Sequence, residues 1–154
     1  MRPVSKSIAT TILIALARGN LETSYNKADN GSREFVLLQL PEPSNWQAGD
    51  RLFPELVIAG FHAHLDDYND VSWTNHVMDL CVGFEFCTSI LAFQATNSGD
   101  PKVRYWFGYA FAGGPTTEAD YVRNDDVSNS AVYTVPQVDG GEGDHGSKRD
   151  GGSE

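Results

Sequence analysis

The residues with the most chemistry in them lie in one short run, Phe61-His62-Ala63-His64-Leu65-Asp66-Asp67. In an extended strand alternate side chains share a side, so His62 and His64 point the same way with Asp66 next in line, their Cβ atoms roughly 7 Å apart. Two imidazoles and a carboxylate so placed form the donor set of a zinc site. The following residues, Asp66, Asp67, Asn69 and Asp70, gather hard oxygen donors of the kind that bind calcium. This loop has neither the glycine nor the closing glutamate of an EF-hand, so an ordinary solvated acidic loop is the simpler account. For the histidines the plain alternative is a strand with a polar outer face and Phe61, Ala63 and Leu65 turned toward the core.

The segment resembles the His-x-His-x-Asp-His metal-binding loop of metallo-β-lactamase-type hydrolases, which also follows an apolar strand. The resemblance implies a small metal-dependent hydrolase using His62, His64 and Asp66. It covers about seven residues, and Asp67 stands where that family has its next histidine.

Aromatic side chains offer a second chemistry. Tyr105, Trp106, Phe107, Tyr109 and Phe111 follow one another closely, and exposed rings stack on sugars or on other rings. Period two places Trp106 opposite Tyr105 and Phe107. If one sheet face is solvated, Trp106 is exposed there, and Trp46 and Trp73, both expected in loops, join it as a binding platform. The alternative is that most of these rings are core. No phosphate-cradling glycine loop opens a helix, and no serine has a nucleophile-elbow context. A non-enzymatic protein is expected.

The elements that position these groups read mostly as strands. Residues 77–96 and 102–111 are apolar, aromatic-rich runs on either side of the turn cluster Asn97-Ser98-Gly99-Asp100-Pro101, a β-hairpin pattern. Val103, Tyr105, Phe107, Tyr109 and Phe111 alternate with Arg104, Trp106, Gly108 and Ala110. Met78, Leu80, Val82, Phe84 and Phe86 alternate in the same way, predicting an extended strand from 77 onward. Further strands are expected over 33–40, over 52–65 with a bulge at Gly60, and over 131–138, where Pro136 suggests a sheet edge. Between them lie a polar loop over 65–75 and at most a short helix near 118–123. This pattern predicts an all-β, antiparallel β-sandwich of jelly-roll-like type over residues 19–138. A disordered, acidic, glycine-rich tail follows over 139–154.

On the extended reading Cys81 and Cys87 share a strand face about 20 Å apart, too far for a mutual bond. They are expected as two small apolar residues. Residues 1–18 read either as a first strand or as a signal peptide, with Arg2 and Lys6 ahead of an apolar run ending at Ala15 and Ala17. The triplet Asn30-Gly31-Ser32 is a glycosylation acceptor only if the chain is secreted.

The 154 residues carry a formal charge of −10, and residues 19–138 alone account for −10. Such a body repels a phosphate backbone, so nucleic-acid binding through it is not expected. No apolar run reaches the length of a membrane-spanning helix. Three readings follow in order. The first is a structural or surface-interaction β-sandwich such as a small-virus coat or projecting domain, with self-association expected from the large residues on both faces of 103–111. The second is a secreted ligand- or carbohydrate-binding module. The third is the small metal-dependent hydrolase using His62, His64 and Asp66. No cofactor is expected, with zinc at the histidines or calcium at the acidic loop as the alternatives. A virion or extracellular setting suits the first two.

Overall fold

The computed structural model describes Ser24, Tyr25 and residues 33–137. The expectations for residues 1–18, for the Asn30 triplet and for the tail over 139–154 lie outside the described residues. Eight strands are described: β1 (Ser24–Tyr25), β2 (Phe35–Leu37), β3 (Trp46–Ala48), β4 (Val57–His64), β5 (Ser89–Thr96), β6 (Arg104–Phe111), β7 (Tyr121–Arg123) and β8 (Ser128–Thr134). All pair antiparallel, in a six-stranded sheet ordered β1-β2-β8-β5-β6-β4 and a two-stranded sheet β3-β7. The chain is mostly antiparallel sheet with little helix, as its alternating patterns predict. Among the described residues no helix is long and apolar enough to cross a membrane.

The expected hairpin forms at its second half. β5 and β6 pair in continuous register from Ser89↔Phe111 to Thr96↔Arg104. Asn97 closes the turn: its backbone N–H donates to the Val103 carbonyl at 2.9 Å, and its Oδ1 accepts from the Val103 N–H at 2.8 Å.

The first half does not form as a strand. Residues Asp70–Val82 are an α-helix, α1, which corrects both the strand expected from Val77 and the polar loop expected over 65–75. The physical reason lies in two signals. Asn69 and Ser72 make a reciprocal capping box: Asn69 Oδ1 accepts from the Ser72 N–H at 2.8 Å and Ser72 Oγ from the Asn69 N–H at 2.9 Å. The buried residues Trp73, Val77, Met78 and Cys81 are spaced i, i+4, i+5, i+8, one face of a helix. Leu80, Val82, Phe84 and Phe86 imitate a period of two, but Phe84 and Phe86 are exposed, the latter by 72%. Gly83 ends the helix, its N–H returning to the Leu80 carbonyl at 3.1 Å.

The six-stranded sheet is covered differently on its two faces. α1 lies across β5 and β6 and packs Trp73, Val77 and Met78 against Ile90, Ala92 and Trp106. It comes so close that a Cβ on Gly108 would sit 2.4 Å from Val77 Cγ2 and 3.3 Å from the Trp73 ring; only glycine lets the helix settle there. Full burial of each of these large side chains contributes roughly 1.5–3 kcal/mol. On the opposite face β3 lies over β5 and β8, with Trp46 and Tyr121 closing a second core on Leu91, Phe93 and Val132.

Two smaller expectations change. β8 is interior, between β2 and β5, and Pro136 lies beyond its end, so it does not mark an edge. The bulge in β4 falls between Val57 and Ala59 rather than at Gly60.

Candidate functional site

The three tryptophans are structural anchors. Trp46, Trp73 and Trp106 are 7%, 1% and 2% exposed. Trp46 is in β3 and Trp73 in α1, not in loops, and Trp106 lies under the helix rather than on a solvated face. Each indole N–H reaches a backbone carbonyl: Trp46 to Pro41 at 2.9 Å, Trp73 to Phe107 at 2.9 Å and Trp106 to Tyr68 at 3.0 Å. Buried indoles need such acceptors. The three form no exposed binding platform.

His62 and His64 are exposed and share the outward side of β4, while Phe61, Ala63 and Leu65 pack on the core. Their rings rest on Tyr105, with centroids at 6.1 Å and 4.9 Å. Asp66 does not continue their line, because the strand ends at His64 and Leu65–Asp67 form a 3-10 turn. Asp66, Asp67 and Asp70 are exposed, and the Asn69 side-chain oxygen is taken by the helix cap. Among the described residues no group of three or more His, Cys, Asp or Glu side chains is placed to hold a metal ion. Zinc at His62, His64 and Asp66, and calcium at Asp66, Asp67 and Asp70, therefore rest on the sequence alone.

What the structure does assemble around the histidines is an open aromatic face. Residues directly opposite in antiparallel strands share a face. The pairs Gly60↔Tyr109, His62↔Phe107 and His64↔Tyr105 join β4 to β6, and Phe93↔Phe107 joins β5 to β6. The rings run on from Tyr105 to Phe107 (6.4 Å), Phe93 (5.8 Å), Tyr109 (6.1 Å) and Phe53 (5.5 Å). β3 lies over β5 and β8. Tyr105, Phe107 and Tyr109 are half-buried, Phe53 is 46% exposed, and Phe93, which links Phe107 to Tyr109, is buried. Gln47, Phe53, Phe93 and Tyr109 line a cleft of about 280 Å³ at one end. The Tyr109 ring lies over Gly60, where a Cβ would stand 3.0 Å from it, and burial raises the Tyr109 phenol above its ordinary value. Such a surface can hold a partner by apolar and stacking contact. Period two revealed its ring row in the sequence, but not which side of the sheet the helix would cover.

A polar network surrounds the start of β7. Arg51 Nε donates to Asp120 Oδ1, and the Thr117 N–H donates to Asp120 Oδ2 at 2.7 Å. The bond from Arg51 holds the Asp120 carboxyl below its ordinary value against the opposing effect of burial. Tyr121 donates from its hydroxyl to Thr116 Oγ1 at 3.0 Å, and burial pushes its phenol up to about 12.

Cys81 and Cys87 are joined in a disulfide with Cα atoms 5.5 Å apart, which corrects the expectation of two unbonded cysteines. The 20 Å separation assumed one continuous strand. Instead α1 ends at Val82 and the chain doubles back through 83–86. Arg33 clamps this turn, its guanidinium donating to the carbonyls of Cys87 at 2.8 Å, Phe84 at 2.6 Å, and Glu85. A cation at carbonyls just past a helix end also suits the helix dipole.

No known family matches this chain, and no curated protein or solved structure is measurably similar to it.

Proposed function

We propose that this chain is a non-enzymatic surface-interaction domain that meets another macromolecule on the open face of β4 and β6. The observation that carries the reading is the row of incompletely covered rings Tyr105, Phe107, Tyr109 and Phe53, joined through the buried Phe93 and flanked by His62 and His64. Contiguous apolar surface left open on a folded protein marks interaction sites and ligand-binding grooves. A structural or coat-like role, with self-association, is the assembled form of the same reading. Its finer fold expectation, a jelly-roll-like sandwich, draws support from β3-β7 stacked on the main sheet, while α1 on the other face counts against it. A dye that fluoresces on apolar surface should bind the native protein, and Tyr105→Lys should cut the signal more than twofold without lowering the melting temperature. Unchanged fluorescence, with light scattering showing a monomer at every concentration, would remove this face from consideration.

A second reading is a secreted carbohydrate-binding module. Two observations favour it. Disulfides persist in oxidising compartments, and Cys81–Cys87 is one. A groove of about 520 Å³ between α1 and β8 carries the uncharged donors and acceptors of Asn75, Asn129 and Tyr133 beside Asp70 and Val71. Amides and hydroxyls around an aromatic ring suit a neutral polyol. Calorimetry with a panel of oligosaccharides, repeated on Tyr133→Ala, tests it; heats that the substitution leaves unchanged would place any binding elsewhere.

A further inference from the structure

β4 is the outer strand of the six-stranded sheet and pairs only with β6 among the described strands. One row of its backbone N–H and C=O groups is therefore directed away from the sheet, a template for another strand. Natural edges are commonly blunted by proline, lysine or a bulge. Val57–His64 has no proline and no Asp, Glu, Lys or Arg, and its bulge is confined to the Val57/Ala59 end. That leaves Ala59–His64 regular, about 20 Å of open edge.

Charge appears on both sides of this neutral run. Glu55 precedes it and Asp66 and Asp67 follow it, all three exposed. A second copy is a poor occupant for that reason. Antiparallel pairing centred on Phe61 would bring the Glu55 flank of each copy toward the Asp66–Asp67 turn of the other, like charges just beyond both ends of the new ladder. Like charges brought together in this way repel. The same two ends attract cations from a different chain.

We infer that the β4 edge binds an extended segment of another protein, apolar or hydroxylic in its middle and flanked at both ends by lysine or arginine. The inference rests on the surface-interaction reading above and names the partner's chemistry. Backbone hydrogen bonds to Ala59–His64 supply the affinity, as in other strand-addition complexes. The incoming side chains alternate: one set extends the His62 and His64 side of the sheet, the other meets Phe61 and Ala63. Glu55, Asp66 and Asp67 select the flanks and speed encounter.

The test uses the full chain and a fluorescent peptide of alternating valine and threonine with lysines at both ends. Anisotropy titration should show saturable binding at least about tenfold tighter than for the same peptide flanked by glutamates, a preference of about 1.4 kcal/mol. The triple variant E55K/D66K/D67K should reverse that order. Glu55→Lys alone makes the edge self-complementary, so sedimentation should show a dimer where the unsubstituted chain pairs with no second copy through β4. Absent binding, indifference to flank charge, a Glu55→Lys protein that stays monomeric, or β4–β4 pairing in the unsubstituted chain would each overturn the inference. Dye binding reports the aromatic face and peptide binding the edge, so the two readings fail separately.

Discussion

Replacing Gly108 with alanine should destabilise the protein through one identifiable contact. The added Cβ would stand 2.4 Å from Val77 Cγ2, 3.2 Å from Val77 Cγ1 and 3.3 Å from the Trp73 ring. Val77 is fully buried and Trp73 is 1% exposed, so neither side chain has free space to enter and α1 must lift off β6. Overpacking of this kind costs about 1–3 kcal/mol. The backbone term has the opposite sign, since alanine in a strand interior is favoured over glycine by roughly 0.5–1 kcal/mol. The net expectation is a loss of up to about 2.5 kcal/mol, a fall of up to roughly 10 °C in melting temperature at about 4 °C per kcal/mol. Val77→Ala alone removes two buried methyl groups, which contribute about 0.8 kcal/mol each before any cavity term. The pair should not add: in the Val77→Ala background Gly108→Ala fills vacated volume and should cost close to nothing, a coupling of at least about 1 kcal/mol. Thermal melts followed by near- and far-ultraviolet circular dichroism measure all four corners of this cycle. Two losses that simply add would refute the placement of the helix on β6.

Three further outcomes follow from the polar groups and the disulfide. Asp120 titrates below its ordinary value when folded, so its contribution to stability is complete above the unfolded value near 3.8 and is lost as pH falls through the lower folded one. Arg51→Gln should shift the Asp120 carboxyl titration upward in a carbon-detected NMR experiment, and an unmoved midpoint would mean that Arg51 is not the cause. Tyr121 is raised from 10.0 to about 12; the unfolded chain therefore loses that proton first, and stability should fall between pH 10 and about 12. Tyr121→Phe should flatten that alkaline limb in part, since Tyr109 and Tyr133 are also raised by burial; a limb of unchanged steepness would show that Tyr121 is not as enclosed as described. The Cys81–Cys87 bond closes a short loop, and by the loop-entropy relation the Cys81→Ser/Cys87→Ser protein should lose about 2 kcal/mol. Two thiols reactive in the untreated native protein would contradict the bond itself.

The acidic balance, the turn at 97–101 and the two-sided character of β4 and β6 were legible in the residues. Each depends on neighbours within a few positions: strand period two sets His62 and His64 on one side and Phe61 and Ala63 on the other, wherever the strand docks. Residues 70–87 were not legible in that way. Trp73, Val77, Met78 and Cys81 satisfy a helix, while Met78, Leu80, Val82, Phe84 and Phe86 satisfy a strand, and the local pattern supports both. The Asn69–Ser72 cap was the available sign of a helix start, with no acidic side chain at its third position to mark it more plainly. Contact with β5 and β6 decides the matter, because only a helix brings four large side chains at once onto the surface that Gly108 leaves open. From that choice follow the burial of Trp106, the meeting of Cys81 with Cys87 and the partial exposure of the opposite ring row. All three depend on which bodies cover which face of the sheet, and that is a property of residues far apart in the chain and adjacent only in the folded molecule.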